Sequence, residues 1–183
     1  MKNALLLVSS IVLLGLSACK KDEQDYWIPP GVNEEELITT FKITFTDTSG
    51  IQPTYTAIFK DIDGTGGNQP SLFDTIKLKA NTVYSAKIDF LNESVSPVDT
   101  ITNEILEEAA DHLICFSHSN INASILKTDS DGIYEIGLSS LWTISAASNG
   151  NVIISLKHQP GIKNGLCDLG ETDIELNFQV KIE

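Results

Sequence analysis

The chain contains no arginine; all twelve of its basic residues are lysine. It therefore lacks the planar five-donor fork that clamps phosphate or carboxylate groups through two parallel hydrogen bonds. Against 25 acidic residues the net charge is −13. That balance excludes the basic footprint a nucleic-acid partner requires and a polybasic patch for anionic lipid. Histidine and cysteine are scarce, three of each, and no His-Glu-x-x-His or Cys-x-x-Cys spacing occurs. Also absent are a Gly-x-Ser-x-Gly elbow, a phosphate loop and a dinucleotide fingerprint; Gly64-Thr65-Gly66 lacks the third glycine and a following helix. Acidic pairs are numerous only because the composition is acidic, so the expectation is a protein that is not an enzyme. No internal repeat or low-complexity segment is visible.

What is present is an ordinary globular mixture, 42% hydrophobic and 20% charged over 183 residues. The length suits one domain or two small ones. The first eighteen residues stand apart. Lys2 precedes an apolar stretch from Leu5 to Leu16, too short for a membrane-spanning helix, which needs about twenty apolar residues. Leu16-Ser17-Ala18-Cys19 follows. Small residues before a cysteine resemble the bacterial lipobox, which implies cleavage before Cys19 and lipid on its thiol and amine. Several acyl chains at about 0.8 kcal/mol per buried methylene give a stable anchor. Loss of residues 1–18 removes one lysine and no acid, taking the net charge to −14. Lys20-Lys21-Asp22-Glu23 resembles an export signal to the outer face of the outer membrane, so the cell surface is favoured over the periplasmic face. Residues 19–33, with Pro29-Pro30-Gly31, read as a tether, and residues 34–183 as the folded domain.

Within the domain the hydrophobic period is two. Leu37, Thr39, Phe41, Ile43 and Phe45 share a face, as do Tyr84, Ala86, Ile88 and Phe90, then Val152, Ile154 and Leu156, and finally Ile174, Leu176, Phe178, Val180 and Ile182. Further strands are expected around Tyr55–Phe59 and over 72–78, 113–118, 122–128 and 133–145. Asn149-Gly150 predicts a type I′ hairpin joining 141–147 to 152–158. One helix is expected, with Asp99 as its N-cap and Ile101, Ile105, Leu106 and Ala109 on its apolar stripe. Many strands with one short helix predict a mainly β protein, an antiparallel β-sandwich of immunoglobulin-like or related type; two stacked small sandwiches are the alternative.

Three clusters invite chemistry. Glu104, Glu108 and His112 are spaced four apart, so a helix running through them would present all three on one face. With Asp111, and with His118 or His158 brought in by folding, they are candidate ligands for a divalent metal. His158 is in phase with the inward residues of its strand, which favours a half-buried histidine. Once Cys19 is lipidated, Cys115 and Cys167 remain, and outside the cytoplasm they are a candidate disulfide. Asp61, Asp63 and Asn68, in the first of two Asp-x-Asp-Gly turns, are candidate calcium ligands, although the glycine and the twelfth residue do not follow the EF-hand pattern.

Asn33-Glu34-Glu35-Glu36-Leu37-Ile38, Phe59-Lys60-Asp61-Ile62-Asp63-Gly64, Leu91-Asn92-Glu93, Glu108-Ala109-Ala110-Asp111-His112, Leu156-Lys157-His158-Gln159-Pro160-Gly161 and Gly170-Glu171-Thr172-Asp173 together resemble an uncharacterised family of small Bacteroidota lipoproteins. The resemblance spans nearly the whole mature chain and includes His112 and His158. That family often carries the label "type 1 periplasmic binding fold", an α/β architecture that the period-two pattern here does not support. Its members occur beside TonB-dependent receptors, which implies an accessory role in nutrient or metal uptake by an outer-membrane transporter. The alternative is a structural or adhesive surface module that binds a protein or glycan.

Overall fold

The computed structural model describes residues 37–64 and 67–183, which fall within one compact unit. The signal segment, Cys19 and the tether lie outside the described residues. Among the described residues, no helix is long and apolar enough to cross a membrane.

The protein is mainly β, and the described residues form ten strands and one short helix. The strands are β1 (Thr40–Asp47), β2 (Tyr55–Lys60), β3 (Leu72–Phe73), β4 (Ile76–Leu78) and β5 (Val83–Leu91). After helix α1 (Ile101–Glu107) come β6 (His112–Ser119), β7 (Ala123–Lys127), β8 (Ser139–Ile144), β9 (Ser148–His158) and β10 (Glu171–Ile182). They form a six-stranded sheet of order β3-β2-β1-β5-β8-β7 and a four-stranded sheet of order β4-β10-β9-β6. The two sheets make a β-sandwich. The pairing is antiparallel except between β4 and β10, which run parallel, so the smaller sheet is mixed rather than purely antiparallel.

The alternating residues do what their period demands. Phe41, Ile43, Phe45, Ile88 and Phe90 face inward from one sheet, and Val152, Ile154, Leu156, Phe178 and Val180 from the other; all are buried. Each such side chain contributes about 1.5–3 kcal/mol by leaving water. Aromatic rings tie the layers together: Phe41 meets Phe178 with centroids 5.4 Å apart, and Trp142 meets Phe116 edge-on at 6.0 Å. Apart from Leu113 and Cys115, on the outer face of β6, the buried apolar residues form one continuous cluster.

Three local expectations fail for physical reasons. Asn149-Gly150 is not a turn. Both residues lie in β9, paired with Lys181 and Val180 of β10, while β8 belongs to the other sheet. Gly150 serves close approach instead: a Cβ there would collide with the Ser119 carbonyl and lie 2.8 Å from the Asn120 carbonyl carbon. Residues 72–78 are two strands, β3 and β4, that join different sheets. Helix α1 is shorter than its pattern. Thr100 rather than Asp99 is the N-cap and makes no side-chain cap, because Asp99 is held in a backbone bridge with Asn92. Ile101 and Ile105 are buried, but Leu106 is exposed. Thr102 fastens the helix to β5: its Oγ1 accepts from the Phe90 N–H at 2.7 Å and donates to the Phe90 carbonyl at 3.2 Å.

Candidate functional site

β6 and β9 are antiparallel neighbours, and their register sets His112 opposite His158. Both histidines are in phase with the inward pair Ile114 and Leu156, so they close the end of the core. Their rings stack with centroids 4.7 Å apart and planes 10° from parallel. His112 is buried and His158 half-buried.

Glu108 arrives from a different element than its spacing predicts. The helix stops at Glu107, and Glu108 is its C-cap, its N–H donating to the Glu104 carbonyl. Asp111 N–H returns to the Glu108 carbonyl at 2.8 Å, and β6 begins at the next residue. Glu108 and His112 thus meet across a tight turn, not along a helical face. Glu104, one turn back, stays out of the group. The His112 Nδ1 lies 3.1 Å from the Glu108 carbonyl oxygen. A carbonyl only accepts, so Nδ1 carries the proton, and in the neutral ring Nε2 holds the lone pair.

The result is a group of three, Glu108, His112 and His158, with one ligand-type atom of each within 4.8 Å of the others. A tetrahedral zinc with bonds of about 2.0–2.2 Å needs donor separations nearer about 3.3 Å. The exposed Glu108 side chain has the freedom to close that gap. The His112 imidazole is pushed below its ordinary pKa, chiefly by burial and then by the neighbouring His158; the Glu108 carbonyl and the Asp173 and Glu108 carboxylates oppose this. A lowered pKa keeps the ring neutral at physiological pH, the form that ligates metals.

Asp173 joins this environment although no sequence pattern singles it out. The β9–β10 register slips between Thr172 and Ile174, so Asp173 is the extra residue of a bulge. Bulges re-aim side chains, and here the carboxylate acts electrostatically on His112. No alternation pattern marks such an insertion.

The remaining candidates are placed as follows. Asp111 does not join the group. Its carbonyl accepts the Gln159 N–H at 2.6 Å and its Oδ1 accepts the Gly161 N–H at 3.3 Å, so it holds the 159–170 loop. His118 is exposed on β6, away from the group. Cys115 and Cys167 are joined by a disulfide with Cα atoms 6.0 Å apart, which ties the same loop to the outer face of β6. Two further fastenings escaped the sequence. Gln159, fully buried, donates through Nε2 to the Leu166 and Leu169 carbonyls at 2.8 and 2.9 Å. Lys163, with its side chain only 3% exposed, donates to Asp131 Oδ2 and to the Ala109 carbonyl, both at 2.7 Å.

The side chains of the calcium trio bond to one another. Asp63 Oδ2 accepts both the backbone N–H and the Nδ2 of Asn68, at 2.8 and 2.7 Å. Asn68 thus presents donors where calcium needs oxygens. Asp61 is buried nearby, its pKa raised by burial and by Asp63. In the second Asp-x-Asp-Gly turn, Asp131 Oδ1 accepts from Ile133 and Tyr134, and the Asp129 carboxylate accepts from Gly137 and Ser139. Those are the internal hydrogen bonds of an Asx turn. No known protein family, curated protein or solved structure matches this chain.

Proposed function

We propose that this is a lipid-anchored, non-enzymatic binding protein of the outer membrane that takes up a divalent transition metal through Glu108, His112 and His158 and assists its transfer to a TonB-dependent transporter. The observation that carries the metal reading is the convergence of two stacked histidines and one glutamate, with ligand-type atoms within 4.8 Å of one another. Two imidazoles and a carboxylate suit zinc and its neighbours better than calcium or magnesium. Three protein ligands leave a coordination position for water or for a group on a partner, which suits hand-over more than permanent structural storage. The anchor rests on Leu16-Ser17-Ala18-Cys19, and the transporter partnership rests on the family resemblance.

Equilibrium dialysis of the mature protein against zinc, followed by elemental analysis, tests the metal reading. About one zinc per chain is expected, retained by wild type, weakened in Glu108→Gln and lost in His158→Ala. Glu108 is exposed, so its replacement leaves the core intact. Wild type that retains no metal, or a Glu108→Gln and His158→Ala pair that retains as much as wild type, refutes the assignment. Metabolic labelling with a fatty acid tests the anchor separately; no label on the protein, or label that survives Cys19→Ala, removes it.

A further inference from the structure

A cleft of about 750 Å³ opens between the starts of β1 and β10 and the ends of β2 and β3. That volume is in the range of small-molecule sites, roughly 300–1,000 Å³. Ile38, Phe59, Phe73 and Leu176 supply apolar walls, with Phe59 and Phe73 packed edge to face at 5.1 Å. Among the described lining residues every ionisable one is acidic: Asp61, Asp173 and Glu175. Among the described residues neither lysine nor histidine lines it, and His112 acts on Asp173 from behind the wall.

Asp61 is the informative member. It is 8% exposed, and its Oδ1 has no hydrogen-bond donor. A carboxylate oxygen buried without a donor is costly and needs an explanation. The Asp63 and Gly64 N–H groups and the Asp63 side chain engage the carboxyl yet leave Oδ1 without a donor, and Lys60, next in sequence, is engaged by Glu93. The missing partner is a donor, and the acidic lining selects a positively charged one. The apolar walls select a body that itself prefers to leave water.

We propose that this cleft binds an organic ammonium: a primary amine carried on a compact apolar or aromatic body, with Asp61 accepting from the ammonium and Phe59 and Phe73 flanking the body. The assignment does not depend on the metal reading, because Glu108, His112 and His158 do not line the cleft. A bare metal ion would leave the apolar walls unused, and a neutral alcohol would leave the acidic field unanswered.

The test compares 2-phenylethylamine with 2-phenylethanol, which has nearly the same shape and no charge at pH 7. Both are titrated into isotope-labelled mature protein and followed by NMR. Saturable binding of the amine near about 1 mM is expected, the range for so small a ligand. Shift changes should concentrate at Phe59, Asp61, Phe73 and Leu176. The alcohol should bind at least about tenfold more weakly, and Asp61→Asn should weaken the amine by a similar factor. Equal binding of amine and alcohol overturns the proposal. So does an absence of saturable binding up to about 10 mM, or shift changes centred elsewhere. The comparison of the two probes on the unaltered chain decides the matter even if Asp61→Asn does not fold.

Discussion

Lys163→Met is the most discriminating perturbation of the framework around the site. The Lys163 ammonium bridges the Asp131 turn and the carbonyl of Ala109, just past helix α1, from the loop that follows His158. The side chains of the pair are 3% and 7% exposed, so water screens them little. Removing one partner of a buried pair typically costs about 3–5 kcal/mol, because the other charge is stranded. Here Asp131 keeps the N–H groups of Ile133 and Tyr134 at 2.7 Å, which places the cost near the lower end of that range. The titration of Asp131 bounds the same interaction from above, because its shift also includes the backbone donors. The Asp131 carboxyl is lowered to about 2, first by the Lys163 hydrogen bond and then by those backbone donors, against an ordinary 3.8. At about 1.4 kcal/mol per pH unit this is worth roughly 2 kcal/mol. Urea unfolding at pH 7 should therefore show Lys163→Met destabilised by about 2–3 kcal/mol. The sign with pH follows from a lowered folded-state pKa. The contribution is complete above about pH 4, where Asp131 is ionised in both states, and is lost as pH falls toward 2. The gap between wild type and Lys163→Met should narrow over that interval. Adding Asp131→Asn to the variant should restore part of the loss by removing the stranded charge. A cost below about 1 kcal/mol at pH 7, the value of an exposed pair, would refute the reasoning, as would a gap that widens in acid.

Two other outcomes are expected. Gly150→Ala should destabilise by about 1–3 kcal/mol in urea unfolding, the usual cost of overpacking, because its Cβ would drive into the Ser119–Asn120 backbone; a neutral result would mean the end of β6 yields freely. Replacing Cys115 and Cys167 together by serine opens a link across 52 residues. Chain entropy puts the loss near about 4 kcal/mol, read as a lower urea midpoint, and an unchanged midpoint would show that the 159–170 loop is held by Gln159 and Lys163 alone.

The parts of the molecule legible in its sequence are those governed by period. Phe41 to Phe45, Tyr84 to Phe90 and Leu176 to Ile182 each alternate through a strand with one buried face, and each is buried as its parity requires. The inward phase of His158 follows from the same rule. Pairing is not governed by period. That His112 sits opposite His158 depends on β6 lying beside β9, and nothing within either segment states it. Asn149-Gly150 carries strong turn chemistry, yet tertiary packing uses the glycine for clearance in a strand. The four-residue spacing of Glu108 and His112 predicts a shared helical face. The helix ends at Glu107, and the turn through Asp111 brings them together by another route. The surroundings of Asp173 and Asp61 are less legible still. One owes its place to a bulge, the other to the close approach of strand ends from both sheets, and neither leaves a mark on local alternation.

The place of β10 has a consequence for the order in which the domain can be made. It lies between β4 and β9, parallel to one and antiparallel to the other, yet it follows every other strand in the chain. Until residues 171–182 have emerged, β4 and the pair β6–β9 cannot be joined, and Val152, Ile154 and Leu156 lack Phe178 and Val180 against which to close the core. A nascent chain halted before Glu171 therefore holds two unmatched edges and an open apolar layer, the features that recruit chaperones and favour aggregation. Completion of the smaller sheet is a late, long-range event, and it brings Asp173 to the Glu108–His112–His158 group and to the cleft beside Asp61 in the same step.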